Sequence, residues 1–584
     1  MKMAVIGIDL GTTNSLAVTY RNGQIEMIPN VFGEYLTPSV VSFVDGQLVV
    51  GKIAKERLVT DPEHTTSLFK RNMGTDKMVT LGKSKFRAEE LSAFVVKQLV
   101  TDAESYLNDK VEEVVISVPA YFDEKQRHAT KMIGELLGIR VKRLINEPSS
   151  ASIACHRDGE DETFVVFDFG GGTLDVSVVD CFENVISICA IAGNNQLGGS
   201  DFDKEIALYF CLKNQLSFDS LNKKEERSLL LAAERAKIAL QTQEKVNFSV
   251  KIGKKEYNCM LDNDILMTIA NPIFEEIRSV ISKAVKDSGF KANELDGLLL
   301  VGGSSYMPVV RAYLEKLLRI PVKSDSEIDF LVAKGLGKYL GIKGRFQEVK
   351  DIVVTDICPF SLATGIVNEM DRERLLSRVV IPRNSVLPTS RSVHLQVYEL
   401  GQTDLRIGIY QGEAMYVDNN LLLGEINVKV PKNIEKHETF SLTYSYDINS
   451  MLYIELVIHS TKERYSYRLG EDNTLQKTTS LKHLHAIKDI SIQLNQNPEY
   501  EAVMEKAQRI YEEIDVIMQD ELRTNIQRFM RLFEIYTNNI KKKRQLIEIY
   551  NKYLDTLDRS ADYNGLDIFA DFEHDDDSSE GSML

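Results

Sequence analysis

Two stretches of the chain, IGIDLGTTNSLAVTY (residues 6–20) and VVFDFGGGTLDVSVV (165–179), are built on one plan. Each runs from an apolar strand through an aspartate, an apolar residue, glycine and small residues with threonine into a second apolar strand. Duplicated halves of an α/β fold facing each other across a cleft account for such a repeat. Around both copies, residues 1–350 alternate short β-branched runs (MAVIGID, EEVVISVPA, TFVVFDF, VISICAIAG, GLLLVGG) with amphipathic segments. The segments AEELSAFVVKQLVTDAESYL, QRHATKMIGELLG and RSLLLAAERAKIALQ predict helices, and the alternation as a whole predicts an α/β architecture.

The tips of the two hairpins carry chemistry. Glycine lets backbone N–H groups turn toward an anion with no Cβ in the way, and Thr12, Thr13 and Thr173 add hydroxyl donors. Asp9, Asp168 and Asp175 would repel phosphate directly, but they suit a hydrated divalent cation lying between, such as Mg²⁺ on a nucleoside triphosphate. Taken alone, DFGGGTLD fits a tight turn with solvated acids equally well; the second tip, DLGTTN, favours a paired phosphate grip. A third glycine pair, in LLLVGGSSYMPVV (298–310), reads as a strand, a turn and a helix opened by Pro308. That helix N-terminus suits a nucleoside or phosphate, and the motif is also an ordinary strand–turn–helix. Two other glycine motifs are excluded. LGKS at 81–84 would need glycine at 77, where the chain has Lys77. GLGKYLG at 335–341 does not directly follow a strand and is not GxGxxG.

The texture changes at DIVVTD (351–356), an apolar segment bracketed by acids. In SVHLQVYELGQTDLRIGIYQGE, Val393, Leu395 and Val397 alternate on one side of a Gly-containing turn, and Leu405, Ile407 and Ile409 on the other. The pattern predicts a hairpin in an antiparallel sheet with one face in a core. Helical spacing begins at Pro498, with no Pro or Gly from Glu499 to Tyr563, and a break at Asn538-Asn539 predicts several packed helices. The end, DFEHDDDSSEGSML, reads as a disordered acidic tail.

A chain of 584 residues exceeds one ordinary core and predicts two to four domains. Its net charge of −16 argues against a broad nucleic-acid surface, and KKKR at 541–544 reads as a solvated helix face. No apolar run is long enough for a bilayer, so no membrane association is expected, and MKMAVIGID reads as a first strand rather than a secretory signal. The six cysteines include no CxxC pair and no zinc spacing, which predicts free thiols in a reducing, cytoplasmic setting.

The segments IGIDLGTTNS, VVISVPAYF, INEPSSASIA, FDFGGGTLDVSVV, LGGSDFD, ERAKIAL and LVGGSSYMP occur in this order, followed by DIVVTD, VIPRNSVLPTS, IYQGE and NNLLLG. This run, over about residues 4–460, resembles the seventy-kilodalton heat-shock chaperone family of the DnaK type. The shortened first half and TDICPFSL are similar to its divergent HscC-like branch. The resemblance implies a multidomain chain. An actin-like α/β two-lobed ATPase domain would span 1–350 and an interdomain linker 351–357. An antiparallel β-sandwich substrate-binding domain (358–485), a helical lid (486–565) and an acidic tail (566–584) would follow. It further implies an ATP-dependent chaperone that binds extended hydrophobic segments of unfolded proteins. ATP would open the peptide site, and hydrolysis, stimulated by a J-domain partner and substrate, would close it.

By the same resemblance Asp9, Asp168 and Asp175 surround hydrated Mg²⁺, with potassium (K⁺) as a further implied cation. Lys70, in SLFKRNMG, reaches the γ-phosphate and attacking water, Glu147 in NEP supports the metal and water, and Thr173 sits near the γ-phosphate. Gly11, Thr12, Thr13, Asn14, Gly170, Gly171, Gly172 and Gly199 belong to the ATP/ADP phosphate site. Glu234 and Lys237, in ERAK, meet the ribose, and Gly302, Gly303, Ser304, Tyr306 and Asp329 lie around the nucleoside. Eukaryotic relatives often set arginines against the adenine; here Ile238 and Gln241 stand nearby, and Tyr306 can stack on the base. Leu395, Tyr398, Leu405 and Ile407 fall where the family lines its peptide pocket, although Leu395, Leu405 and Ile407 also fit plain core packing. Ile352, Val353 and Val354 form the docking linker. Shortening between Lys70 and Val114 and around Glu234 leaves the nucleotide-exchange factor open, the first peptide loops near 363–380 are unassigned, and the tail lacks EEVD. An actin-like small-molecule kinase or an actin-type assembly ATPase would share the paired hairpins, but neither needs residues 357–584.

Overall fold

The computed structural model describes residues 4–44, 46–156, 161–182, 185–323, 327–344, 353–367, 374–468, 497–514, 516–536 and 539–559; Ile352 and the tail 566–584 lie outside them. In the first sheet, Ala4–Asp9 has Val111–Val118 and then Arg140–Asn146 parallel on one side, and Asn14–Arg21 and Gln24–Ile28 antiparallel on the other. The second sheet repeats this plan. Glu162–Phe169 has Gly297–Val301 and Val322–Lys323 parallel on one side, and Leu174–Phe182 and Val185–Asn194 antiparallel on the other. The sequence repeat is therefore a repeat of topology. Strands at the centre of each sheet are covered on both faces, which is why VVISV and FVVFDF are continuously apolar. The segment Val353–Thr355 joins the second sheet as an edge strand, parallel to Val185–Ser187.

Among the described residues the helices of this half are α1 (Lys52–Thr60), α2 (Ala88–Leu107), α3 (Glu124–Leu137), α4 (Glu147–Cys155), α5 (Gly199–Lys213), α6 (Lys223–Ala239), α7 (Asn263–Ile269), α8 (Asn271–Ser288), α9 (Pro308–Leu318) and α10 (Leu331–Lys343). α3 starts at a capping box, in which Asp123 accepts from the Gln126 N–H and the Gln126 side chain returns to the Asp123 N–H. α4 packs on the second sheet and α10 on the first, and the two cross between the sheets. At the crossing a Cβ on Gly335 would lie 1.7 Å from the Ser150 carbonyl oxygen, so only glycine permits the approach.

The following β-region is a sandwich of two four-stranded antiparallel sheets around one apolar core. Leu376–Ile381, Leu362–Ile366, Asp404–Gln411 and Leu421–Lys429 form one sheet; Thr389–Gln396, Thr439–Tyr446, Leu452–Ile458 and Arg464–Arg468 form the other. The predicted hairpin between Val393 and Ile409 is corrected here. Thr389–Gln396 and Asp404–Gln411 lie in different sheets, the chain between them crossing the sandwich edge. Alternation identifies the buried face but not the partner strand, and both runs do face the shared core.

Three further helices, α11 (Pro498–Glu513), α12 (Val516–Ile535) and α13 (Ile540–Arg559), pack round Val503, Leu522, Phe529, Leu546 and Tyr550. Among the described residues no helix is long and apolar enough to cross a membrane, and all six cysteines are free thiols.

The sandwich touches the first half through the start of α3. The Glu124 N–H donates to Gln411 Oε1 (3.2 Å), and Glu124 Oε1 accepts from the Leu452 N–H (3.1 Å). Arg383 pairs with Asp287, and Ser149 of α4 donates to Asp356.

Gly335→Ala should force α4 and α10 apart and cost about 1–3 kcal/mol. Urea unfolding followed by circular dichroism checks this, and an unchanged midpoint would mean that the crossing has slack.

Candidate active site

Sheet register builds the acidic centre. Asp9 ends the first strand and accepts from Ser117 Oγ at 2.6 Å; Ser117 follows Ile116, the parallel partner of Ile8. Asp168 and Asp175 stand directly opposite each other across the glycine hairpin. Glu147 opens α4, and Lys70, in the turn Phe69–Asn72, reaches it with Nζ 3.1 Å from Oε1. Asp175 Oδ1 accepts from the Tyr121 N–H (2.9 Å), while Oδ2 is buried with no hydrogen-bond partner.

Burial, with Glu147 the next contributor, pushes Asp9 and Asp175 up to about 7 each. Asp168 is raised well above its ordinary value by the same burial and by Glu147, Asp175 and Asp9. Lys70 and the hydrogen bonds from Ser117 and Tyr121 only partly counter this. Buried, under-neutralised carboxylate oxygens with an orphan lone-pair site fit a hard divalent cation. Among the described residues no three acidic, histidine or cysteine side chains are grouped so as to hold an ion by themselves.

The two hairpin tips touch. A Cβ on Gly171 would lie 1.7 Å from Thr13 Oγ1, and one on Gly172 would lie 2.3 Å from Thr12 Cγ2. The start of α5 closes over the second tip, with the Gly199 and Ser200 N–H groups donating to the Gly170 and Gly171 carbonyls at 3.0 Å. Ser304 Oγ donates to the Gly170 carbonyl (2.9 Å), and Gly302, at φ +80°, brings its turn against Asp168. Lys237 donates to the Gly199 carbonyl (2.9 Å) and pairs with Asp203 (2.6 Å).

Beside the touching tips lies a cavity of about 770 Å³. Asp9, Gly11, Thr12, Thr13, Asn14, Lys70, Glu147, Asp168, Gly170, Gly171, Thr173, Glu234, Lys237, Gly302, Gly303, Ser304, Tyr306 and Asp329 line it. Gly172, Asp175 and Gly199 back these lining residues. Tyr306, Ile238 and Gln241 line the same cavity.

Leu395, Leu405 and Ile407 belong to the sandwich core, Leu395 being half-buried, whereas Tyr398 is exposed. None of the four lines the cleft. Several contributors escaped sequence reasoning. Arg71 donates to the Gly172 carbonyl (2.8 Å) and forks onto Asp201 (2.5 and 3.3 Å), and Lys55 pairs with Glu234 (3.5 Å). The only sequence signal for Arg71 was its place beside Lys70.

A family model described as Hsp70 protein matches residues 5–80 and 75–561. The chain is similar to the chaperone protein DnaK of Thermotoga neapolitana, 32% identical over 551 residues that cover 91% of this chain and 89% of that protein. It is likewise similar to the chaperone protein DnaK of Thermosipho africanus, 33% identical over 494 residues, 81% of this chain and 82% of that one.

Asp175→Asn removes one charge from the crowded centre. It should stabilise the nucleotide-free protein by about 1–3 kcal/mol while lowering metal-dependent turnover. Urea titration checks the first effect, and equal or lower stability would show that repulsion does not strain this site.

Proposed function

The chain belongs to the Hsp70 family, an ATP-dependent chaperone and ATPase family, and we propose that the cleft between the paired hairpins takes ATP and that its hydrolysis governs peptide capture by the sandwich. The single observation that carries this reading is the convergence of Asp9, Glu147, Asp168 and Asp175 on one buried lysine beside glycine–threonine tips. When bound, Mg²⁺ would neutralise the triphosphate and the aspartates through water.

Within this reading Lys70 and Glu147 hold the attacking water in line, Lys70 through its ammonium and Glu147 as the acceptor. Thr173 and the tip amides receive charge developing on the γ-phosphoryl oxygens. Glu234 and Lys237 address the ribose, and Tyr306 offers a ring face to the base. We assign residues 1–350 to the ATPase domain, 351–357 to the linker, 358–485 to the sandwich and 486–565 to the lid.

Clients are extended apolar segments, held by main-chain hydrogen bonds and one pocket. Leu395, Leu405 and Ile407 would line that pocket, with Tyr398 over the bound chain. A J-domain partner, potassium as a further cation and a cytoplasmic setting belong to the same proposal.

Coupling would pass through the linker strand and Glu124. Burial raises the Glu124 carboxyl to about 7, against the opposing pull of the Leu452 N–H and Arg127. A raised acid takes up a proton on docking. Its contribution to docking is therefore present in full below its ordinary 4.5 and lost as pH rises through about 7.

The test is release of a labelled hydrophobic peptide on adding ATP and Mg²⁺. Fast release with ATP but not ADP is expected, and Lys70→Ala should bind ATP yet lose hydrolysis by about 100-fold or more. No peptide binding, or normal turnover by Lys70→Ala, would overturn the reading or the role of Lys70 respectively. Docking of the sandwich, followed by a fluorophore pair, should weaken as pH rises from about 4.5 to about 7 in the native chain and be flat in Glu124→Gln. The same slope in both would remove Glu124 from the coupling.

A further inference from the structure

The mouth of the nucleotide cavity is formed by α1 from one lobe and α6 from the other. Lys55 and Glu234 both line the cavity and meet there at 3.5 Å. The lid helices meet both α1 and α6. α11 packs on α1, with Ala502 buried among Val40, Val49, Ile53 and Ala54. Arg57 of α1 pairs with Glu505 of α11 at 2.8 Å.

The centre of the contact is Arg509, 1% exposed. Its Nε donates to Glu56 of α1 at 2.5 Å, and its two terminal nitrogens fork onto both oxygens of Asp558 in α13, at 2.9 and 2.8 Å. Asp558 in turn accepts from Arg235 of α6 at 2.5 Å. Glu56, Arg509, Asp558 and Arg235 therefore alternate in charge along one line, running from the first lobe through two lid helices to the second lobe. Burial works against the charge on Asp558, but Arg509, Arg235 and Lys506 outweigh it and hold the carboxyl below the usual carboxylate range. Each end of the line is anchored on a different lobe.

Parting α1 from α6 would open the cavity that Lys55 and Glu234 line. Such movement must also break this line, at the Glu56–Arg509 or the Arg235–Asp558 pair, both of them at least partly buried, which costs more than parting an exposed pair. Arg235 also directly follows Glu234, so the tie holds the cavity-lining edge of α6 in place.

We propose that the lid is a strap across the nucleotide cleft, Arg509 and Asp558 acting as positioning residues that tie the two lobes together and slow nucleotide release. This rests on the cleft being the ATP site. A lid lying on α1 and α6 would retain nucleotide, and its departure would free both the cleft and the lid face.

The experiment is stopped-flow dissociation of a fluorescent ATP analogue from the full-length chain. Arg235→Gln leaves the lid's own Arg509–Asp558 pair intact and should speed release about tenfold; Asp558→Asn should do at least as much, and Arg235→Lys should recover part of the effect. The single-turnover rate of prebound ATP should stay unchanged, since none of these residues touches the reacting atoms. Adding Glu56→Gln to Arg235→Gln should accelerate release by less than the product of the single effects, because both cut one line. Release within twofold of the native chain in Arg235→Gln and Asp558→Asn alike overturns the strap while leaving the ATP reading intact. Failure of the native chain to bind the analogue would overturn that reading instead.

Discussion

Four carboxylates and one lysine, buried together, set the terms for the first half of the chain. Asp9, Glu147, Asp168 and Asp175 are held within reach of Lys70 by the ends of two sheets and the start of α4, and burial, with the charge of Glu147 next, drives the three aspartates toward neutrality. A fold gains nothing in stability from such a group. The arrangement is favourable only when positive charge enters the cleft, so the site is poised for a cation together with the anion that brings it. The tight glycine approaches hold the tips together: side chains at Gly171, Gly172 or Gly199 would collide with Thr13, Thr12 and Ser304 respectively.

Duplication explains how one chain reaches this geometry. Each sheet delivers an aspartate to the same end of its first strand, and the crossing of α4 with α10 at Gly335 sets the two sheets face to face. Among the described residues the lobes also meet above the acidic centre through polar side-chain pairs. Arg71 on Asp201 and Lys55 on Glu234 are polar and partly exposed, a type of contact that forms and breaks at little cost.

The two hairpin tips, the span of α2 and the start of the lid helices at Pro498 were legible in the sequence, because each rests on local periodicity or on glycine and proline chemistry. The partner of Thr389–Gln396 was not, since alternation marks a face and says nothing about which strand pairs with it. Glu124 reads as an ordinary helix-start acid, and only the arrival of Leu452 and Gln411 from the sandwich buries it. Arg509 and Asp558 likewise look like solvated positions on amphipathic helices. Ion pairs between residues hundreds of positions apart leave no local signature.

Helix α4 places these distant parts on one short lever. Its first residue is Glu147, beside Lys70; Ser149 donates to Asp356 immediately after the linker strand; and Ser150 lies against Gly335 of α10. Asp356 also accepts, through its carbonyl, from the Leu387 N–H of the sandwich (2.8 Å). A change in what Glu147 holds is thus only one helical turn from the linker and from the lobe crossing. Coupling between sites needs an element whose position both sites bias. α4 has the contacts such an element needs, because its first residue faces Lys70 while Ser149 and Ser150 are packed against Asp356 and Gly335.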